Sequence, residues 1–130
     1  MKEYIINRSN FFSKYYNTNK IDCLAVSCDI PRWHEGLHLR ELSPKKTDIM
    51  DFRDNNISKS QFIKNYENYL ISKYYDKCHS DKGFDSLDIL EQLDGKTIVS
   101  FEGTDEFSHM DILIDYFKKM GFNVKSRWLN

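Results

Sequence analysis

The chain has 130 residues, the usual size of one folded domain and enough to bury a real core. Hydrophobic residues make up 40% and charged residues 30%, which excludes a disordered composition, and no apolar run approaches the ~20 residues needed to span a bilayer. Lysines and arginines (19) nearly cancel aspartates and glutamates (20), so the basic excess of a domain that clamps nucleic-acid phosphates is missing.

No signal-peptide pattern follows Met1-Lys2-Glu3, and the expected compartment is the cytoplasm. Cys23, Cys28 and Cys78 are an odd number without metal-like spacing and read as free thiols. Alanine occurs once, and lysine outnumbers arginine 14 to 5. AT-rich coding gives that bias, as in low-GC bacteria and their phages.

In chain order, Glu3–Asn7 and Asp22–Ser27 read as strands, being short, apolar and β-branched or aromatic. Arg8–Lys20 between them reads as loop, with room for one helical turn before the breaker Asn17-Thr18-Asn19. Asp29–Ser43 has no clean periodicity and reads as a long loop, a length often used for function. Ser43 then suits a helix cap with Pro44 in the first turn, the helix running to about Asp54. Ser58-Lys59-Ser60-Gln61 is a capping box, followed by Phe62, Tyr66, Leu70 and Tyr74 at a spacing of four, a core stripe. Cys78–Gly83 is a polar linker, Phe84–Leu93 a short amphipathic helix, Asp94-Gly95 a turn and Lys96–Phe101 a buried strand. The last helix opens near Ser108 with Met110, Leu113, Phe117 and Met120 inward, and Gly121 fits just past its end. Asn123–Trp128 closes the chain as a strand. The final strand, helix and strand form a βαβ unit with parallel pairing. The expected fold is a single three-layer α/β domain over residues 1–130, with a small, mostly parallel sheet of about four strands flanked by helices.

Ligands of open parallel sheets collect outside the carboxyl ends of the strands. That rule selects Arg8-Ser9-Asn10, Asp29–His34 and Glu102–His109. The candidate ligand-binding residues are Arg8, Ser9, Arg32, Trp33, Glu102, Ser108 and His109, and the candidate catalytic residues Glu102 and His109. The strand–turn–helix from Ser100 to His109 is the richest segment, because a helix start favours an anion. Ser108 serves equally as a plain N-cap, with His109 a first-turn polar residue. Arg32 and Trp33 suit a phosphate and a ring, or Trp33 pins its loop to the core. His34 and His38 are four apart but separated by Gly36, and a third ligand would have to be Glu35, Glu41 or Cys28, so no metal is expected. His79 falls in the polar linker. No Gly-rich phosphate loop, GxSxG elbow or HExxH occurs, and no cofactor is expected.

Leu42-Ser43-Pro44 with Ile57-Ser58 and Phe62…Tyr66…Leu70, the Cys23–Ser27 strand with Pro31, and Val99-Ser100-Phe101-Glu102 with Phe107-Ser108-His109-Met110 together form a pattern. It resembles the bacterial YeaO-like family, domain of unknown function 488, over nearly the whole chain. That family has Cys-x-Glu at the strand end and Cys-His-Arg at the helix start. Ser100, Ser108 and Met110 depart from it, whereas Glu102 and His109 are kept. The resemblance therefore implies the fold and a binding derivative without thiolate chemistry, or one using only Glu102 and His109; whether turnover occurs stays open.

Two functions follow as expectations. One is binding of a small nucleotide-like or phosphorylated ligand at the carboxyl edge of the sheet. The alternative is a catalytically inactive, phage-encoded module that binds a host protein through aromatic residues, with Phe11, Phe12, Tyr15, Tyr16 and Tyr75 as candidates for exposure. Nucleic acid and membrane are not expected partners.

Overall fold

A computed structural model describes residues 2–74, 86–103 and 106–130. Among these residues four strands, β1 (Glu3–Asn10), β2 (Cys23–Ala25), β3 (Lys96–Ser100) and β4 (Asn123–Lys125), form one all-parallel sheet in the order β2-β3-β1-β4. Among the described residues, five helices flank it: α1 (Lys14–Thr18), α2 (Lys46–Arg53), α3 (Lys59–Lys73), α4 (Ser86–Leu93) and α5 (His109–Lys119). The domain is thus the expected small α/β fold. Among the described residues, no helix is long and apolar enough to cross a membrane.

Side-chain alternation along the strands divides the core in two. Leu24, Val26 and Ile98 point to the face covered by α3, α4 and α5, where Tyr66, Leu70, Leu90, Leu113 and Phe117 complete the larger cluster. Cys23, Ala25 and Val99 point the other way, onto Phe11 and Tyr16, next to and within α1.

The long helices form where periodicity and capping agree. Ser58 caps α3 by accepting from the Gln61 amide at 3.1 Å, but the Gln61 side chain donates to Asn65 Oδ1 at 2.6 Å instead of closing the capping box. Ser108 caps α5 at the Met110 amide, and Gly121, at φ 96°, takes the left-handed turn that ends it.

Several boundaries differ from the sequence reading. β1 runs on through Arg8, Ser9 and Asn10, expected as loop, because β3 pairs with it out to Asn10↔Ser100 and supplies the partners that three polar side chains do not advertise. β2 is only Cys23–Ala25, with a 3-10 turn over Lys20–Asp22 before it. Pro44 and Ser43 lie outside α2: Lys45 occupies its N-cap, and the Ser43 hydroxyl donates to the Pro44 carbonyl at 2.9 Å. β4 stops at Lys125, after which Trp128 bridges to Arg8 alone. β3 and β4 are parallel as expected for the βαβ unit, yet β1 lies between them and pairs with both. The expected Cys78–Gly83 linker, with His79, and the start of the Phe84–Leu93 helix lie outside the described residues.

The long loop after β2 is held down at several points. Its residue His38 forms a single parallel bridge with Ala25, and the Ala25 amide donates to Leu37 O at 2.9 Å. His38 Nε2 donates to Ser27 O at 2.7 Å, and His34 sits between the Tyr16 hydroxyl at 2.7 Å and Leu37 O at 3.1 Å. Gly36 passes so close to the backbone before β2 that a Cβ there would lie 2.7 Å from Lys20 O and overlap Cys23 O.

Candidate functional site

The carboxyl ends of β2 and β3 and the start of α5 converge on one side chain. Ser100 and Glu102, two apart, face the side of the sheet that α5 covers, while Phe101 between them faces Phe11, at 4.7 Å between ring centroids. The Ser100 hydroxyl donates to Glu102 Oε2 at 2.7 Å. The cap at Ser108 places His109 in the first turn with its ring inward, 6% exposed and edge-on to Tyr66. His109 Nε2 donates to the Val26 carbonyl at 2.7 Å, and Nδ1 lies 3.4 Å from Glu102 Oε1.

This chain of contacts fixes Glu102 as a charged acceptor. Burial pushes its carboxyl up, but the hydrogen bond and charge of His109, the Ser100 hydroxyl and its own backbone amide outweigh that and hold it at about 2. A carboxylate so acidic is a poor proton acceptor near neutral pH, where a useful general base titrates close to the working pH. Nor is Ser100 set up as a nucleophile, since its buried hydroxyl is spent on Glu102 and the far nitrogen of His109 on a backbone carbonyl. The geometry suits recognition: an anion held from behind, with its side chain 28% exposed.

What Glu102 faces is a cleft of about 450 Å³. Phe52, Phe62 and Phe107 build one wall, Phe52 stacked on Phe62 at 4.9 Å and Phe107 edge-on to both at 5.7 and 5.9 Å. Ile49 and Met50 extend it, Lys46 and Arg53 stand at its rim, and Ser27, Cys28 and Asp29 close the side nearest β2. Arg53 also lies 3.7 Å from Asp54, both side chains mostly in solvent. Among the described residues, no group of three His, Cys, Asp or Glu side chains is placed to hold a metal ion.

Of the residues singled out from sequence, Glu102 and His109 meet at this cleft. Ser108 acts as the α5 cap. Arg8 projects toward α5 and pairs with Asp111, outside the cleft lining. Ser9 faces the opposite side of the sheet, its hydroxyl bonded to Ser13 and to Leu129 O, both at 2.6 Å. Arg32 and Trp33 are exposed in a loop that folds over the α1 side, with Trp33 6.3 Å from the Phe12 ring. Phe11 and Tyr16, expected at the surface, are buried in the smaller core, and Tyr15 packs partly buried against it. Phe12 is exposed, and Tyr75 lies outside the described residues.

Sequence reasoning missed Lys46, Phe52, Arg53 and Phe107 as site residues and assigned Phe62 to the core alone. Phe52 and Arg53 share the last turn of α2, and only the packing of α2 against α3 turns that end into a wall.

Comparison of the chain with protein-family models, with curated proteins and with solved structures finds no match in any of the three. The likeness to the YeaO-like family therefore rests on the motif residues alone.

Proposed function

We propose that the chain binds a small nucleotide-like or phosphorylated molecule in the cleft at the carboxyl ends of β2 and β3. The observation that carries this reading is the pairing of a three-phenylalanine wall with a fixed carboxylate, Glu102, in a concavity of about 450 Å³. Such a volume falls in the range of small-molecule sites, which are mostly apolar with a few placed polar groups. An aromatic wall takes the face of a ring, Glu102 accepts from a ring amine or sugar hydroxyl, and Lys46 at the rim meets an anionic group. On this reading the chain is a divergent relative of the YeaO-like family whose Ser100, Ser108 and Met110 have become internal supports. All three are buried.

The test is a thermal-shift screen with nucleosides and nucleoside monophosphates, on the wild type and on Phe107→Ala. A ligand at a hundred times its Kd adds ~2.7 kcal/mol, several degrees in Tm for a domain of this size. A saturable shift that Phe107→Ala abolishes supports the reading. No shift with any member of the series removes it.

A second reading has its own observation. Phe12 (66% exposed), Trp33 (47%) and Phe101 form a contiguous aromatic patch, with Phe12 6.3 Å from each of the other two rings. Exposed aromatics of this kind anchor protein partners. If that reading holds, a partner co-purified from the source cells is lost with a Phe12→Ser/Trp33→Ser variant of unchanged Tm, and kept by Phe107→Ala.

A further inference from the structure

The aromatic cleft is not isolated. A second recess of about 350 Å³ adjoins it, and Lys46 and Cys28 line both. Arg40, Lys45, Lys46 and Lys73 surround that recess against a single carboxylate, Glu41. This is a local concentration of positive charge in a chain whose net charge is -1. None of the four cations is ion-paired with another described residue: Arg40 reaches only the Cys28 sulfur at 3.8 Å, and Lys73 donates to the Tyr69 hydroxyl at 3.3 Å while lying over that ring.

The backbone adds to the same field. α2 begins at this recess, and its N-cap, Lys45, makes no side-chain bond to the first-turn amides. The one acid of that turn, Asp48, accepts from Asn65 at 3.2 Å. Two lysines at the positive end of a helix dipole oppose it and weaken the helix, unless an anion between them turns the repulsion into attraction. A cationic recess alone accepts any anion. Its continuity with a ring-sized cleft through Lys46 is what restricts the ligand.

We propose that one elongated ligand occupies both cavities. Its ring lies against Phe52, Phe62 and Phe107 with Glu102 at its edge, and a chain of two or more phosphates passes over Lys46 toward Arg40, Lys45 and Lys73. The class is a nucleoside di- or triphosphate. This inference rests on the reading of the cleft as a ring site.

Isothermal titration of the full chain with adenosine, guanosine and uridine, with their mono-, di- and triphosphates, and with inorganic triphosphate tests it. The comparison protein is a Lys45→Gln/Lys73→Gln double variant, both side chains being exposed. The expected result is about a tenfold gain in affinity from monophosphate to triphosphate for one of the bases. In the double variant that gain falls to about twofold, with monophosphate binding unchanged. Equal affinity for mono- and triphosphate overturns the proposal and leaves the ring cleft standing. A gain that survives in the double variant overturns it as well, since the recess is then not responsible. Inorganic triphosphate binding as tightly as the nucleotide overturns the claim of one spanning ligand. Failure of every nucleoside and nucleotide overturns this proposal together with the reading beneath it.

Discussion

Replacing Glu102 by Gln isolates the charge that organises the site while keeping the size of the side chain and an acceptor for Ser100. A carboxyl held at about 2 instead of its ordinary 4.5 corresponds to ~3 kcal/mol of interaction favouring the ionised form. The Glu102 side chain is 28% exposed, so solvent screening reduces the expected effect to ~1–2 kcal/mol. A depressed carboxyl contributes stability that is complete above its ordinary value and lost as pH falls toward the folded one. Glu102→Gln should therefore lower stability by ~1–2 kcal/mol at about pH 5.5, and the gap should shrink between about pH 4.5 and about pH 2. Urea unfolding of both proteins, followed by tryptophan fluorescence across that range, measures it. A difference that stays constant down to about pH 2, or no difference at about pH 5.5, refutes the claim that His109 and Ser100 hold Glu102 ionised.

Other substitutions probe the frame around the site. Gly36→Ala forces the loop after β2 away from Lys20 O and Cys23 O, and should lower Tm by several degrees in a thermal melt, while Gly95→Ala meets no neighbouring atom but is strained by φ 77° and should cost ~1 kcal/mol. Tyr66→Phe deletes the donor to the buried Leu42 carbonyl and should cost ~1–1.5 kcal/mol in urea, with the fold intact by circular dichroism. Leu70→Ala empties a fully buried position between α3 and the sheet and should cost ~2–5 kcal/mol by the same measurement.

How much of this was legible in the sequence depends on the range of the interactions. The Phe62–Tyr66–Leu70 stripe, the Ser58 and Ser108 caps and the Gly121 stop are local, and each appears where its spacing places it. Arg8, Ser9 and Asn10 read as loop because their side chains are polar, yet their backbone is paired by β3 across ninety residues of sequence, as in Arg8↔Ile98. Glu102 and His109 were legible because one strand–turn–helix segment carries both. Arg8, Ser9, Arg32 and Trp33 were chosen by the rule that strand ends meet at one edge, and that rule does not say which face of the sheet each side chain takes. Ser9 faces α1, and the loop bearing Arg32 and Trp33 folds over that same side. The phenylalanine wall draws on α2, α3 and the residue before Ser108, so no single window of sequence contains it.

The proposed function centres on a ring site walled by Phe52, Phe62 and Phe107 and edged by Glu102. The most direct test is a titration of the ¹⁵N-labelled protein with the nucleotide that shifts its melting point most, followed by two-dimensional amide spectra. Saturable changes confined to Lys46, Phe52, Glu102, Phe107 and His109, with Ser9, Arg32 and Trp33 unmoved, are the predicted result. Changes centred on Phe12 and Trp33, or none that saturate, would contradict it.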